Sequence, residues 1–166
     1  MKNLKFIGLF IIFCNFAFAE DQWVEVNTDD FHDSYRKVTF IDSLNGFLHG
    51  SSAIYKTTDG GTNWRIIYQP QGEYSFISTF TMLQDGTGFL STNEKNLLKT
   101  TDYGENWLQI SYPNTDNISS IFAVDINKVW LLTYGSDVFS TTDGGANWVK
   151  SDKQFEQGID PSEIYF

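Results

Sequence analysis

An eight-residue motif occurs three times in this chain and constrains its fold more than any other feature. Thr57 to Trp64 reads TTDGGTNW, Thr100 to Trp107 reads TTDYGENW, and Thr141 to Trp148 reads TTDGGANW. The aspartates Asp59, Asp102 and Asp143 lie 43 and 41 residues apart. Trp23 stands 41 residues before Trp64 and matches the tryptophan of each unit, without an aspartate motif of its own. A period of about 20–50 residues marks an architecture whose units bury their apolar faces against one another.

The remainder of each unit repeats as well. Apolar pairs precede the motif at Ile54-Tyr55, Leu97-Leu98 and Val138-Phe139, and an aromatic recurs in register at Phe47, Phe89 and Trp130. Farther upstream are the β-rich runs Val38 to Ile41, Phe76 to Leu83 and Ile118 to Val124, with turn signals such as Leu44-Asn45-Gly46 and Asp85-Gly86-Thr87-Gly88 between runs. Four short strands per unit of about 42 residues is the pattern of a propeller blade. The fold class is therefore all-β, a β-propeller type of about three four-stranded blades, with units near 37–69, 76–112 and 118–151. Residues 22–26 read as a closing outer strand, and residues 163–166 as the start of a further blade. Rings use about four to eight blades. The sequence thus points to an incomplete ring and a partial product of a longer gene, the alternative being a short chain that closes by oligomerising. Open sheet edges would invite self-association.

The motif has a physical rationale. Its aspartate is expected to accept backbone N–H groups two residues on, as in an Asx turn. Its second glycine (Gly61, Gly104, Gly145) is expected at positive φ to close the hairpin. The position before it looks free of that demand, because Tyr103 occupies it in the second unit. Trp64, Trp107 and Trp148 then open the outer strand and cover the apolar edge of the blade. These nine residues are read as structural. A calcium role is disfavoured, since each motif supplies one carboxylate where Ca²⁺ takes about six to eight oxygens.

With these residues in view, Thr-x-Asp-x-Gly-x-Asn-Trp at Thr57, Thr100 and Thr141 resembles the BNR or Asp-box repeat. The longer pattern, Gly46-Phe47 and Gly50-Ser51 leading into Ile54-Tyr55-Lys56-Thr57, resembles the repeats of the photosystem II stability/assembly factor family. The resemblance covers nearly all of the chain after its first segment and implies an Asp-box propeller. It says less about function, because similar boxes occur in sialidases, xyloglucan-degrading enzymes, sortilin-type receptors and assembly factors. It also implies a basic binding face, which a chain with only Arg36 and Arg65 supplies poorly.

The first residues address the chain. Lys2 and Lys5 precede an uncharged run from Phe6 to Ala19, and Ala17-Phe18-Ala19 places small residues at −3 and −1 before Glu20. This is the build of a secretory signal peptide over residues 1–19. The run is short of the roughly 20 residues that span a bilayer, and Phe13 before Cys14 does not suit a lipoprotein. The expected location is secreted or periplasmic, with no membrane insertion after cleavage. Residues 20–166 form one domain, which loses Cys14, the single cysteine, with the leader. Nine basic residues then face 21 acidic ones, a balance that argues against nucleic-acid partners. Aromatic residues make up 17% of the chain, so it has the material for a core.

No catalytic site emerges. A sialidase, by resemblance, would require three arginines around a substrate carboxylate, and Arg36 and Arg65 are too few. A carboxylate-pair glycosidase needs two carboxyls about 5–10 Å apart, and no spacing singles out such a pair. His32, in a linker, and His49, in a strand, lack partners at a metal-ligand spacing. The reading is a non-enzymatic module with no cofactor and no metal, binding a protein or glycan, and an assembly factor is one version of it. The alternative is part of a sialidase-like glycoside hydrolase whose catalytic residues lie elsewhere. Binding is expected on the end away from the Asp boxes, where Tyr35, Tyr74, Tyr112 and Tyr134 would form an aromatic, acidic rim.

Overall fold

The computed structural model describes residues 33–113 and 116–151. The expected signal peptide (1–19), closing strand (22–26) and fourth-blade strand (163–166) lie outside the described residues, as does His32. The described chain forms twelve strands and no helix. The first sheet holds β1 (Tyr35–Phe40), β2 (Gly46–Gly50), β3 (Ile54–Thr57) and β4 (Arg65–Tyr68). The second holds β5 (Ile77–Met82), β6 (Gly88–Thr92), β7 (Leu97–Thr100) and β8 (Leu108–Ile110). The third holds β9 (Ile118–Ala123), β10 (Val129–Thr133), β11 (Val138–Thr141) and β12 (Val149–Lys150). Each sheet is an antiparallel meander in sequence order. These are three propeller blades, and they do not close into a ring.

Each blade's first strand carries a register shift: between Tyr35 and Lys37 in β1, between Ile77 and Thr79 in β5, and opposite Leu132/Thr133 in β9. The extra residue offsets the two-residue alternation. Ile77, Phe80 and Met82 therefore all come to be buried against the first sheet, as Ile118, Ile121 and Ala123 are against the second.

Two cores result, one per blade junction. Phe47 and Ile54 of the first sheet meet Ile77, Phe80, Met82 and Leu90 of the second, with the Phe47 and Phe80 rings 6.0 Å apart. Phe89 and Leu97 of the second meet Ile118, Ile121, Val129, Leu131 and Phe139 of the third. Full burial of side chains of this size contributes about 1.5–3 kcal/mol each, so the junctions carry most of the stability. Lysines cross the same junctions. Lys56 Nζ meets Glu105 Oε1 at 2.8 Å, and Arg65 joins the same carboxylate. Lys99 Nζ donates to the carbonyls of Ile126 and Gly144, each at 3.1 Å.

Turns close each blade in two ways. Between the first two strands, Asp42 Oδ1 accepts from the N–H of Leu44 and Asn45, Asp85 Oδ1 from Thr87, and Asp125 Oδ1 from Asn127 and Lys128. The last hairpin is the Asp box, and its wiring differs from the expected Asx turn. Asp59 Oδ1 accepts from the N–H of Asn63, four residues on, at 2.8 Å, and Oδ2 from Asn63 Nδ2 at 2.7 Å. Thr57 Oγ1 donates to Asp59 Oδ1 and accepts from the N–H of Gly61, each at 2.9 Å. Asp102 and Asp143 repeat this set with Thr100, Gly104 and Asn106, and with Thr141, Gly145 and Asn147. The threonine and asparagine of the motif are thus the aspartate's partners.

Gly61, Gly104 and Gly145 have φ of 92°, 82° and 96°. The residue before each is left-handed too, and Tyr103 adopts φ 59°. The expectation that this position is free of a glycine's demand is corrected. A left-handed Tyr is strained, and its side chain is anchored instead: Tyr103 Oη donates to the Gln84 carbonyl at 3.1 Å, and Lys56 Nζ lies 5.5 Å from the ring centre.

The box tryptophans sit just before the outer strands, and Trp107 and Trp148 reach across junctions. Trp107 packs edge-on against Tyr68 at 5.8 Å and Phe80 at 6.4 Å, both outside its own hairpin. Trp148 Nε1 donates to the Ser111 carbonyl at 3.0 Å, and Trp64 Nε1 to the Gly61 carbonyl at 3.0 Å. The buried Trp107 Nε1 has no hydrogen-bond partner among the described residues.

Candidate partner-binding face

A four-stranded meander puts its first and third turns at one end and its second turn, with the connection to the next blade, at the other. The Asp boxes therefore share one end. The opposite end gathers the β2–β3, β6–β7 and β10–β11 turns, the β4–β5 and β8–β9 connections, and the start of β1. All four rim tyrosines belong to this second end.

One backbone link builds it in every blade. Ser51 N donates to the Ser34 carbonyl, Asn93 N to Phe76, and Tyr134 N to Asn117, at 3.0–3.1 Å. Each ties a turn to the segment entering that blade. In the first blade Asp33 completes the tie, accepting from Ser51 Oγ at 2.7 Å and from the N–H of Ser52 and Ala53. Burial pushes the Asp33 carboxyl up, but these hydrogen bonds outweigh it and hold the group below its usual range. In the second blade Asn93 has the same office: Oδ1 accepts from Phe76 N at 2.8 Å, and Nδ2 donates to the Tyr74 carbonyl at 3.0 Å.

The tyrosines differ in what they present. Tyr74 is 83% exposed and Tyr134 63% exposed. The Tyr74 backbone is pinned by Asn93 while its ring points outward. Tyr112 is half-buried against the second core, and its hydroxyl donates to the Asp116 carbonyl at 2.6 Å; burial first, then Asp116, raises its pKa. Tyr35 stands at the margin with its ring edge-on to Tyr55 at 6.1 Å. Burial and the neighbouring Asp33 push the Tyr55 hydroxyl up to about 12. The sequence places the turn around Asn93 at this end, but neither its clamping role nor Phe76, 40% exposed beside Tyr74, was read from it. The signal for both was a spacing of 42 and 41 residues, in Ser51, Asn93 and Tyr134 and in Ser34, Phe76 and Asn117, which holds for turns as it does for boxes.

At the box end the aspartates are strongly acidic. Hydrogen bonds from Asn106 and then Thr100 draw Asp102 down to about 2, and Asn147 and Thr141 do the same for Asp143. A cleft of about 620 Å³ lies between these two boxes, lined by Lys99, Asp102, Trp107, Leu108, Asp143 and Gly144. Its one cation, Lys99, is engaged by the two carbonyls named above, and its carboxylates by their own hairpins. Among the described residues no three His, Cys, Asp or Glu side chains gather as metal ligands would. Arg65 pairs with Glu105 on the outer side, whereas Arg36 donates to the Ser78 carbonyl on the inner strands, so the two arginines do not converge. His49 is buried in β2 with its ring 6.1 Å from Phe80. Burial, then Arg36, lowers its pKa to about 4.

Comparison with known proteins places this architecture. The family model described as photosynthesis system II assembly factor YCF48 matches residues 16–158. The photosystem II assembly lipoprotein Ycf48 of Synechococcus sp. (strain CC9902) is 31% identical over 121 residues, covering 69% of this chain and 35% of that protein. The solved structure titled YCF48 bound to D1 peptide has a TM-score of 0.61 at 24% identity, covering 71% of this chain and 39% of that one. YCF48 from Cyanidioschyzon merolae has a TM-score of 0.59 at 21% identity, with 71% and 37% covered. The GH74 xyloglucanase from Xanthomonas campestris has the same score, 0.59, at 20% identity, with 70% and 21% covered. These structural likenesses show a shared propeller fold, and the chain spans about a third of the length of the relatives it matches. On the family match, the chain belongs to the family of the photosystem II assembly factor YCF48.

Proposed function

We propose that this chain is an exported, non-enzymatic propeller module that holds a segment of a protein partner on the end opposite its Asp boxes, as an assembly factor would. The observation that carries the reading is the pair Tyr74 and Tyr134, open aromatic rings in one family-matched propeller, set on equivalent ends of adjacent blades. A tyrosine buries a large ring at small entropic expense and keeps a hydroxyl for a partner's backbone. The Asn93 clamp and the Tyr134–Asn117 link fix the backbone under both rings before any partner arrives, so less ordering remains for binding. A relative solved with a D1 peptide supports a polypeptide partner over a glycan. A relative named as a lipoprotein supports export, in line with the N-terminal sequence. The glycosidase alternative draws on fold likeness alone, and Arg36 and Arg65 point to different neighbours.

The test uses a D1 peptide as probe and the purified full chain. Tyr74→Ala and Tyr134→Ala are each expected to weaken binding about tenfold, the loss of roughly 1.4 kcal/mol that a moderate interface residue contributes. Thr62→Ala at the box end should leave binding unchanged. Equal losses in all three variants, or none in the tyrosine variants, would contradict the reading. Hydrolysis of aryl-glycosides by the wild-type protein would contradict its non-enzymatic part.

A further inference from the structure

The two blade junctions are built alike at the box end, except where the second lacks the side chains that fill the first. Aligned by their boxes, Arg65, Tyr103 and Glu105 at the first junction correspond to Leu108, Gly144 and Ala146 at the second. At the first, Glu105 reaches from the second blade to Lys56 Nζ at 2.8 Å and to Arg65, and the Tyr103 ring lies against the same ammonium. At the second, Lys99 repeats Lys56 but pairs with no carboxylate among the described residues. Its Nζ donates to the carbonyls of Ile126 and Gly144 instead. With Ala146 and Leu108 in place of the ion pair, the cleft of about 620 Å³ opens between the two boxes.

We propose that this cleft binds a small organic acid, its carboxylate on Lys99 and its apolar body on Trp107, Leu108 and Ile110. The first junction indicates the carboxylate. There the chain seats one of its own, and the Lys56 hydrogen bond holds the Glu105 carboxyl below its usual range against burial. An ammonium has three N–H donors, so two carbonyls leave Lys99 one to give. Burial pulls the Lys99 ammonium below its usual range, and a carboxylate at hydrogen-bond distance favours the charged form again. The rest of the lining indicates the apolar body. Leu108 is 69% exposed where the first blade has Arg65, and Trp107 and Ile110 are half-buried beside it. Asp102 and Asp143 also line the cleft and oppose an anion. Each is committed to the threonine and asparagine of its own box, however. The equivalent Asp59 and Asp102 stand at the first junction, where Glu105 still forms its ion pairs. The volume falls in the range of about 300–1,000 Å³ that small-ligand sites occupy. Both walls are built by the second and third blades.

Ligand-observed NMR titration of the full chain with hydrocinnamate tests this, in about 0.15 M salt so that the net negative charge is screened. Its neutral amide keeps the apolar body and lacks the carboxylate. Saturable binding of the acid is expected, with the amide about tenfold weaker. Ala146→Glu places at the second junction the carboxylate that Glu105 supplies at the first. It should weaken binding of the acid at least tenfold while the melting temperature holds or rises, which separates the loss from unfolding. Lys99→Met should weaken binding of the acid and spare the amide. No saturable binding to the wild type up to about 10 mM, equal binding of acid and amide, or an Ala146→Glu variant that binds as the wild type does would each overturn the proposal. The cleft lies at the other end from Tyr74 and Tyr134 and is read with a different probe, so its failure and that of the tyrosine face are distinguishable.

Discussion

Asp143 and His49 illustrate how one residue's surroundings set a pH window. The Asp143 and Asp102 carboxyls are drawn down to about 2 from a usual value near 3.8. A depressed carboxyl stabilises the fold above its unfolded pKa, and that stability is lost as pH falls toward the folded pKa. The boxes should therefore fail between pH about 4 and 2. Asp143→Asn should flatten the fall in melting temperature over that interval. His49 acts in a higher window. Its pKa is held near 4 against 6.5 when free, so the unfolded chain binds the extra proton first, and stability falls as pH drops from about 6.5 to 4. The full shift corresponds to roughly 3 kcal/mol. His49→Ser, which copies Ser91 at the same position of the second blade, should remove that upper slope in melts at pH 7 and pH 4.5. Trp107 gives a third case. Trp107→Ala should cost about 3 kcal/mol, as loss of a large packed ring does. Trp107→Phe should cost less, because it also removes an indole N–H that has no partner among the described residues. Equal losses in the two variants, read by chemical denaturation, would show that packing against Tyr68 and Phe80 is not what the ring contributes.

At the level of elements, strand identity was plain in the sequence because β-rich runs, turn signals and a repeat of about 42 residues reinforced one another. Ile54-Tyr55, Leu97-Leu98 and Val138-Phe139 each became a third strand. The register shift in each first strand was not legible, since one extra residue among β-formers leaves no compositional mark. The aspartate's partners were printed in the motif as threonine and asparagine, but which N–H groups they serve depends on the hairpin's path. Tyr103 hid the left-handed backbone at its position, because a strained residue reads like a permissive one. The lysine at Lys56 and Lys99 was visible as a repeat, yet its target in the next blade was not. Glu105→Ala tests that link. It strands a mostly buried Lys56 ammonium, but the carboxylate is 45% exposed, so the expected loss is on the order of 1 kcal/mol. That loss should shrink in high salt, as thermal melts would register.

For the whole molecule, the three blades among the described residues and their open arrangement followed from counting motifs, and the family followed from the same residues. The end proposed for binding was legible in part as geometry. Chain direction alone put the four tyrosines at one end, but only the fold distinguishes Tyr74 and Tyr134, which point outward, from Tyr112, whose hydroxyl is spent on Asp116. That distinction depends on loop closure, which periodicity does not encode. The proposed function has a protein partner meet the end opposite the Asp boxes. Hydrogen exchange of the full chain with and without the D1 peptide probe tests it most directly. Protection is expected in residues 69–76, 93–96 and 134–137, with exchange unchanged in residues 59–63, 102–106 and 143–147. Protection confined to the box hairpins would contradict it.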